Sequence, residues 1–321
     1  MRVLVTGAGG QLGRELADVF ADHDLTACDH AALDVGDRDA VLARVTEARA
    51  DAVVHAAAWT DVDGCEDDVD RAWRVNALGT RHVVQAARLV GARVTYVSTD
   101  YVFDGHAGRA YTEWDSPHPL SVYGRSKRGG ELELSADDTL VRTSWVCGRH
   151  GRNFVRTVLA RAADGHELTV VDDQHGCLTL AADLAGMIRR LVVERRSGTY
   201  HVTNQGPTTW FRLARHAVAL AGLDPDLVRP VTTAELDPPR RAPRPPFGVL
   251  DNAALRLGGV ALLPHHLDAL ERLVPQVSAV SSQATRGASR RRANRQAQCP
   301  AQRDGHRRWQ PDESHRRHRY G

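Results

Sequence analysis

The sequence is almost without lysine: of its 42 Lys and Arg residues, Lys127 is the single lysine. Arginine replaces lysine freely where a basic side chain only solubilises a surface, but a planar guanidinium does not replace a compact ammonium in a tight site. Lys127 is therefore a candidate functional residue. Cysteine is scarce as well. Cys28, Cys65, Cys147, Cys177 and Cys299 are widely spaced and form no Cys-x-x-Cys pair, which offers no disulfide framework and points to a reducing compartment. No apolar run approaches the roughly 18 residues of a membrane span, and nothing at the N-terminus has the pattern of a signal peptide. The expectation is a soluble cytoplasmic protein with no membrane partner. At 321 residues and 42% hydrophobic content, the chain can bury a core without staples, and its length suggests about two domains.

The formal charge of +2 sums two unlike parts. Residues 276–321 carry 11 Arg against 3 acidic residues, whereas residues 1–275 carry 31 basic and 37 acidic ones. An acidic body argues against nucleic-acid binding. From Gln276 onward apolar periodicity vanishes and the composition turns to Arg, Gln, Ser and Ala, which predicts a disordered tail. That tail is either a basic arm for nucleic acid or an acidic partner or, the preferred reading, an extension without function past a last helix that ends near Leu273.

In the first half, short apolar runs at residues 2–6, 25–28, 52–55 and 92–98 alternate with helical patterns at 11–22, 37–48 and 69–89. Strands separated by helices in this way indicate βαβ units, hence an α/β fold with a doubly wound parallel sheet. A further strand is expected at 139–143. Beyond it the pattern is less regular, with helices at 153–163, 181–193 and 210–221, a returning strand at 199–202, and a proline-rich loop at 238–246. Residues 1–143 are accordingly expected to form a dinucleotide-binding domain completed by later segments. Residues 144–275 are expected to be mainly a substrate domain.

Directly after the first strand, Gly7, Gly10 and Gly13 are spaced G-x-x-G-x-x-G and, with Gln11 and Leu12, open a helix. Glycines there allow a tight turn, close backbone approach to a pyrophosphate and close helix–strand packing, with the helix N-terminus facing the phosphates. Asp29, at the end of the second strand, is placed to accept from the adenosine ribose. It would favour NAD over NADP, although His30 and nearby arginines work the other way, so NADH and NADPH both remain open. Asp34 and Val35 are expected near the adenine. Ala58, Trp59 and Thr60 follow the third strand, and Val97 lies on the fourth, along the same cofactor.

Tyr123 and Lys127 are four residues apart, one turn of one helix face. A lysine charge there favours phenolate and lowers the tyrosine pKa, so that Tyr123 can pass a proton to a carbonyl oxygen while hydride arrives from nicotinamide. Thr99, at the carboxyl end of the fourth strand, can bond the same oxygen. The bland alternative is an exposed Tyr and Lys on a surface helix.

These residues resemble the extended short-chain dehydrogenase/reductases and, more narrowly, the dTDP-4-dehydrorhamnose reductase family. The similarity is carried by Val5 to Gly13, Ser98-Thr99-Asp100-Tyr101-Val102-Phe103-Asp104-Gly105, Tyr123 to Lys127 with Gly130-Glu131, Arg142 to Val146, Asp173 to Gly176, and Ala242 to Pro245. It runs from residue 2 to about 275 and implies reduction of the C4 ketone of a dTDP-linked 4-keto-6-deoxysugar. The resemblance makes Tyr123 the proton donor, with Lys127 on the nicotinamide ribose and Thr99 tuning Tyr123. Thr99, Asp100, Trp145, Asn153 and Arg244 would then meet the sugar, and an aromatic face at Trp145 suits the apolar side of a deoxyhexose.

Typical members have Tyr where this chain has Cys147 and Pro where it has Leu178, which allows a different sugar. Some relatives dimerise through magnesium held by glutamates. Glu15 matches one of these, but Leu180 to Asp183 offers no clear second, so magnesium is possible but not predicted, and a homodimer stays open. An arginine-rich chain suggests a GC-rich coding sequence. In such bacteria these reductases serve antibiotic sugar pathways, including the one that makes dTDP-dihydrostreptose for streptomycin. A nucleotide-sugar epimerase or dehydratase and a non-catalytic NADP-binding regulatory subunit are the competing readings.

Overall fold

The computed structural model describes residues 1–278, which lie in one compact unit. The expected disorder of the tail therefore falls outside the described residues, apart from its first three positions. The first half runs β1 (Arg2–Thr6), α1 (Gln11–Val19), β2 (Asp24–Cys28), α2 (Arg38–Ala48), β3 (Ala52–His55), α3 (Val62–Asp67), α4 (Val69–Trp73), α5 (Gly79–Val90), β4 (Arg93–Thr99), α6 (Val122–Glu131) and β5 (Thr139–Thr143). The second half has β6 (Val146–Cys147), α7 (Phe154–Ala163), β7 (Leu168–Val171), β8 (His175–Gly176), β9 (Thr179–Leu180), α8 (Ala181–Val193) and β10 (Gly198–His201). It continues with β11 (Thr208–Thr209), α9 (Trp210–Leu220), β12 (Val228–Val231), α10 (Ala253–Leu257) and a last helix described from residue 266 to 278.

Six strands pair in the order β10-β5-β4-β3-β1-β2, every pair parallel. A parallel sheet needs helical crossovers that cover both faces, so its strands are apolar on both sides. β1 illustrates this: Val3 and Val5 pack with α1 and α8, while Leu4 faces α2 and α5. A third cluster joins α7, α9 and the last helix, where Val274 and Val277 are both buried. That helix is described through residue 278, beyond the end expected near Leu273. Burial of Val277 carries the folded body past the expected boundary at 275.

Two further expectations are corrected. The first helix stops at Val19, three residues early, because Phe20 turns into the core and the His23 amide bonds its carbonyl at 2.9 Å. The single helix expected over 69–89 is α4, a turn of π-helix at Arg74–Leu78, and α5. The Asp68 side chain caps α4 from the Arg71 amide at 3.0 Å. At the π turn, the Thr80 hydroxyl donates to the Asn76 carbonyl at 2.7 Å.

Candidate active site

Strand order reverses about β1 and β3, and ligands of open parallel sheets bind at the carboxyl ends of the strands at such a point. There the protein has a cleft of about 990 Å³. Its walls include Gly7, Gly10, Gln11, Leu12, Gly13, Asp29, Asp34, Val35, Ala58, Trp59, Thr60 and Val97, with Thr99, Asp100, Tyr123, Lys127 and Trp145 at the other end.

The glycine turn is as close as the spacing suggested. Gly7 has φ +72°, and a Cβ on Gly13 would lie 2.0 Å from the Gly7 carbonyl oxygen. Side chains are excluded, so the unpaired amides at the start of α1 face the cleft, a ready anion site. The turn fits a dinucleotide diphosphate. Gln11 contributes differently: its Oε1 accepts from the Gly148 amide and from Asn153 Nδ2, both at 3.1 Å. Asp29 Oδ1 accepts from the Ala32 amide at 2.9 Å, so the residue also forms its own turn. His30 and Arg14 line the same end, and Arg14 Nε donates to the Gly9 carbonyl at 3.2 Å. Sequence reasoning missed Asn76. From the π turn it accepts from the Trp59 amide at 2.8 Å and donates to Ser126 Oγ at 3.0 Å, tying the cofactor-side loop to α6. An Asn inside an apolar helical run, where it weakens the helix, was the available signal.

Tyr123 and Lys127 share the inward face of α6, whose start is capped by Ser121 Oγ on the Gly124 amide. Lys127 Nζ donates to the Val97 carbonyl at 2.7 Å and sits 4.1 Å from the centre of the Tyr96 ring. Lys127 is fully buried, not a surface residue, and burial pulls its pKa down to about 7. The Tyr123 hydroxyl is pushed up by burial, a hydrogen bond with Thr99 opposes this, and the Asp100 charge adds to the rise. The expected net lowering of the Tyr123 pKa is thus corrected, because loss of solvent outweighs the favourable groups. Thr99 Oγ1 donates to Asp100 Oδ1 at 3.0 Å, and burial raises the Asp100 carboxyl to about 7.

The sugar end is only partly as expected. Trp145 lines the cleft, and Trp210, which sequence reasoning missed, lines it too. Asn153 and Arg244 are not among the lining residues. Asn153 Oδ1 caps α7 on the Arg156 amide at 2.9 Å, and its Nδ2 braces Gln11. Arg244 forms a two-pronged pair with Asp63, both contacts at 2.7 Å, which holds the Asp63 carboxyl down at about 2. Its charge also acts on Tyr101, which does line the cleft. Cys147 and Leu178 are buried in the α7–α9 core rather than in the cleft. These two departures from the family pattern therefore give no ground for inferring a different sugar. Glu15 lies near Asp18 and His150, but the Arg149 guanidinium already sits on both carboxylates. In this arrangement the two carboxylates are paired with arginine, and the ligand atoms of Glu15, Asp18 and His150 lie within 4.8 Å of one another.

Comparison with known proteins agrees with this geometry. A family model described as the RmlD substrate binding domain matches residues 1–279. A dTDP-4-dehydrorhamnose reductase of Streptomyces griseus is 43% identical over 285 residues, 85% of this chain and 93% of that protein. A dTDP-4-keto-6-deoxy-D-glucose reductase of Streptomyces niveus is 39% identical, over 88% of this chain and 99% of the relative. The crystal structure of dTDP-4-dehydrorhamnose reductase from Bacillus anthracis in complex with NADP superposes with a TM-score of 0.81 at 38% identity, covering 85% of this chain and 98% of that one. The cleft, its glycine turn and its Thr–Tyr–Lys corner thus sit in a chain that belongs to the RmlD substrate binding domain family.

Proposed function

We propose that the protein is an NAD(P)H-dependent reductase of the C4 ketone of a dTDP-linked 4-keto-6-deoxysugar, namely dTDP-4-dehydro-L-rhamnose or a close analogue such as the dihydrostreptose precursor. The observation that carries this reading is the meeting of Thr99, Tyr123 and Lys127 at one end of a cleft whose other end is the glycine turn. Gly7 to Gly13 and the start of α1 hold the diphosphate, Asp29 the adenosine ribose, and Lys127 the nicotinamide ribose. The dinucleotide supplies the hydride when bound. Tyr123 donates its hydroxyl proton to the carbonyl oxygen, so that ketone, hydride and proton balance to the alcohol. Thr99, beside Tyr123 at the same end of the cleft, holds the Tyr123 hydroxyl in line. Asp100, whose carboxyl burial pushes up, lies beside the same oxygen. Trp145 offers an apolar surface to the deoxysugar.

The test is loss of reduced-nicotinamide absorbance when NADPH or NADH is mixed with the protein and dTDP-4-keto-6-deoxy-L-mannose. Stoichiometric consumption with alcohol formed at C4 is the expected result. Sugar conversion that needs no added reductant would overturn the reading in favour of an epimerase or dehydratase, and absence of any turnover would favour a binding subunit.

A further inference from the structure

Glu131 lies one helical turn beyond Lys127, so Tyr123, Lys127 and Glu131 occupy one face of α6 at intervals of four. The Glu131 side chain has no solvent exposure. Its Oε1 accepts from Ser98 Oγ at 2.7 Å and from Arg142 Nε at 2.9 Å. Its Oε2 accepts from Arg142 Nη2 at 2.8 Å and from Arg128 Nη1 at 2.9 Å. Ser98 belongs to β4 and Arg142 to β5, so one carboxylate fastens α6 to two neighbouring strands. Arg142 is itself buried, with its guanidinium 5.1 Å from the Phe103 ring centre. Removing a carboxylate and a guanidinium from water costs several kcal/mol per ion, on the order of what such a pair returns. Stability alone is therefore a weak reason for the cluster.

Lys127 supplies a better one. Its ammonium rests on a carbonyl and an aromatic ring, with no carboxylate in hydrogen-bond contact among the described residues. Burial works against its charge, and Glu131 is the group that works for it. Around it, His55 of β3 is held neutral by burial, Tyr96 of β4 is a neutral phenol, and Tyr123 is on its own helix. Asp100, past the end of β4, bonds Thr99. Arg128 and Arg142 are engaged with Glu131.

We propose that Glu131 is a positioning residue for the Tyr123–Lys127 pair: its carboxylate anchors α6 to β4 and β5 and is the buried counter-charge of the Lys127 ammonium. The inference rests on the proton-transfer role proposed for that pair.

A chain with one lysine permits a direct test. Protein grown on isotope-labelled lysine gives a single Cε resonance, whose pH titration by NMR reports Lys127 and no other group. Glu131→Gln should move that titration about one unit to lower pH and reduce kcat more than either KM. Arg128→Gln should move it to higher pH, because it removes a partly exposed cation from the same carboxylate. A carboxylate that is only a structural clamp would lower the thermal midpoint in both variants and leave the titration in place, which would overturn the proposal. If Glu131→Gln does not fold, an unmoved titration in Arg128→Gln overturns it equally. Failure of the reductase assay in the unmodified protein would instead remove the catalytic reading and leave the NMR result standing.

Discussion

The indole rings of Trp145 and Trp210 stack 3.7 Å apart with their planes 15° from parallel. Trp145 is held there against its backbone preference, with φ +44°, a conformation that costs a bulky residue about 1–3 kcal/mol and persists only where the surroundings fix it. Three neighbours do so. Trp210 covers Trp145, Phe154 packs on Trp210 at 4.5 Å, and Gly176 lies so close that a Cβ would be 2.5 Å from the Trp145 ring.

Trp210→Ala should therefore release Trp145. An aromatic pair is worth roughly 0.5–1.5 kcal/mol beyond its burial, so KM for the sugar nucleotide should rise about two- to tenfold while KM for the nicotinamide cofactor stays put. Gly176→Ala should do the same more severely, by steric displacement. Equal increases in both constants would place the tryptophan pair outside the sugar site.

Tyr123→Phe removes one hydroxyl from a fully packed position and leaves the glycine turn untouched. Positioned acid catalysis contributes about two to four orders of magnitude, so kcat should fall by that factor with little change in coenzyme affinity by fluorescence titration. Near-normal turnover would dismiss Tyr123 as the proton donor.

What the sequence disclosed, and what it hid, follows from how local each signal is. Continuous apolar runs such as Val3-Leu4-Val5 identified strands buried on both faces, and the glycine turn and the Tyr123–Lys127 spacing are each contained within a single turn of chain. Arg244 and Asp63 are 181 residues apart, so their pairing was invisible. Trp210 looked like the first apolar residue of an amphipathic helix, and only the tertiary fold brings it beside Trp145. The two-residue strands β6, β8, β9 and β11 have no periodicity to detect. The π turn at Arg74–Leu78 was masked because its residues suit an ordinary helix. Burial, which decides the ionisation of Tyr123, Lys127 and Asp100, cannot be read from the spacing of residues at all.

Lys127→Arg should be inactive despite the chain's preference for arginine. The space between the Val97 carbonyl and the Tyr96 ring accepts a compact ammonium, and a planar fork would displace the helix or the strand. Retained reductase activity would mean that the single lysine is an accident of composition.

Lys127→Met tests the cost of the buried charge. Burial sets the folded-state pKa near 7, against about 10.4 in the unfolded chain. Between these values the unfolded chain holds one proton more than the folded one, so this group's contribution makes stability rise with pH through that window. Its penalty is fully present below about pH 7. The variant should be more stable than the parent at about pH 6, on the order of 2 kcal/mol in urea unfolding, with the gap closing toward about pH 10. A gap independent of pH would show that the Lys127 pKa is the same in the folded and the unfolded chain, and that burial does not lower it.

The C-terminal boundary can be fixed by comparing chains ending at residues 275 and 279. Ending at Pro275 removes Val277, 1% exposed within the α7–α9 core, together with the last described turn of helix. Losing a buried valine costs about 1.5–3 kcal/mol, so this chain should unfold at a lower temperature and lose activity as it does. Ending at Ala279 keeps every described residue and the whole span matched by the family model, and should leave kcat, both KM values and the thermal midpoint unchanged. Because the 11 arginines of residues 276–321 all lie beyond 279, the same chain should also lose any salt-sensitive binding to polyanions that the full chain displays. Loss of reductase activity on ending at Ala279 would mean that the arginine-rich segment belongs to the enzyme rather than following it.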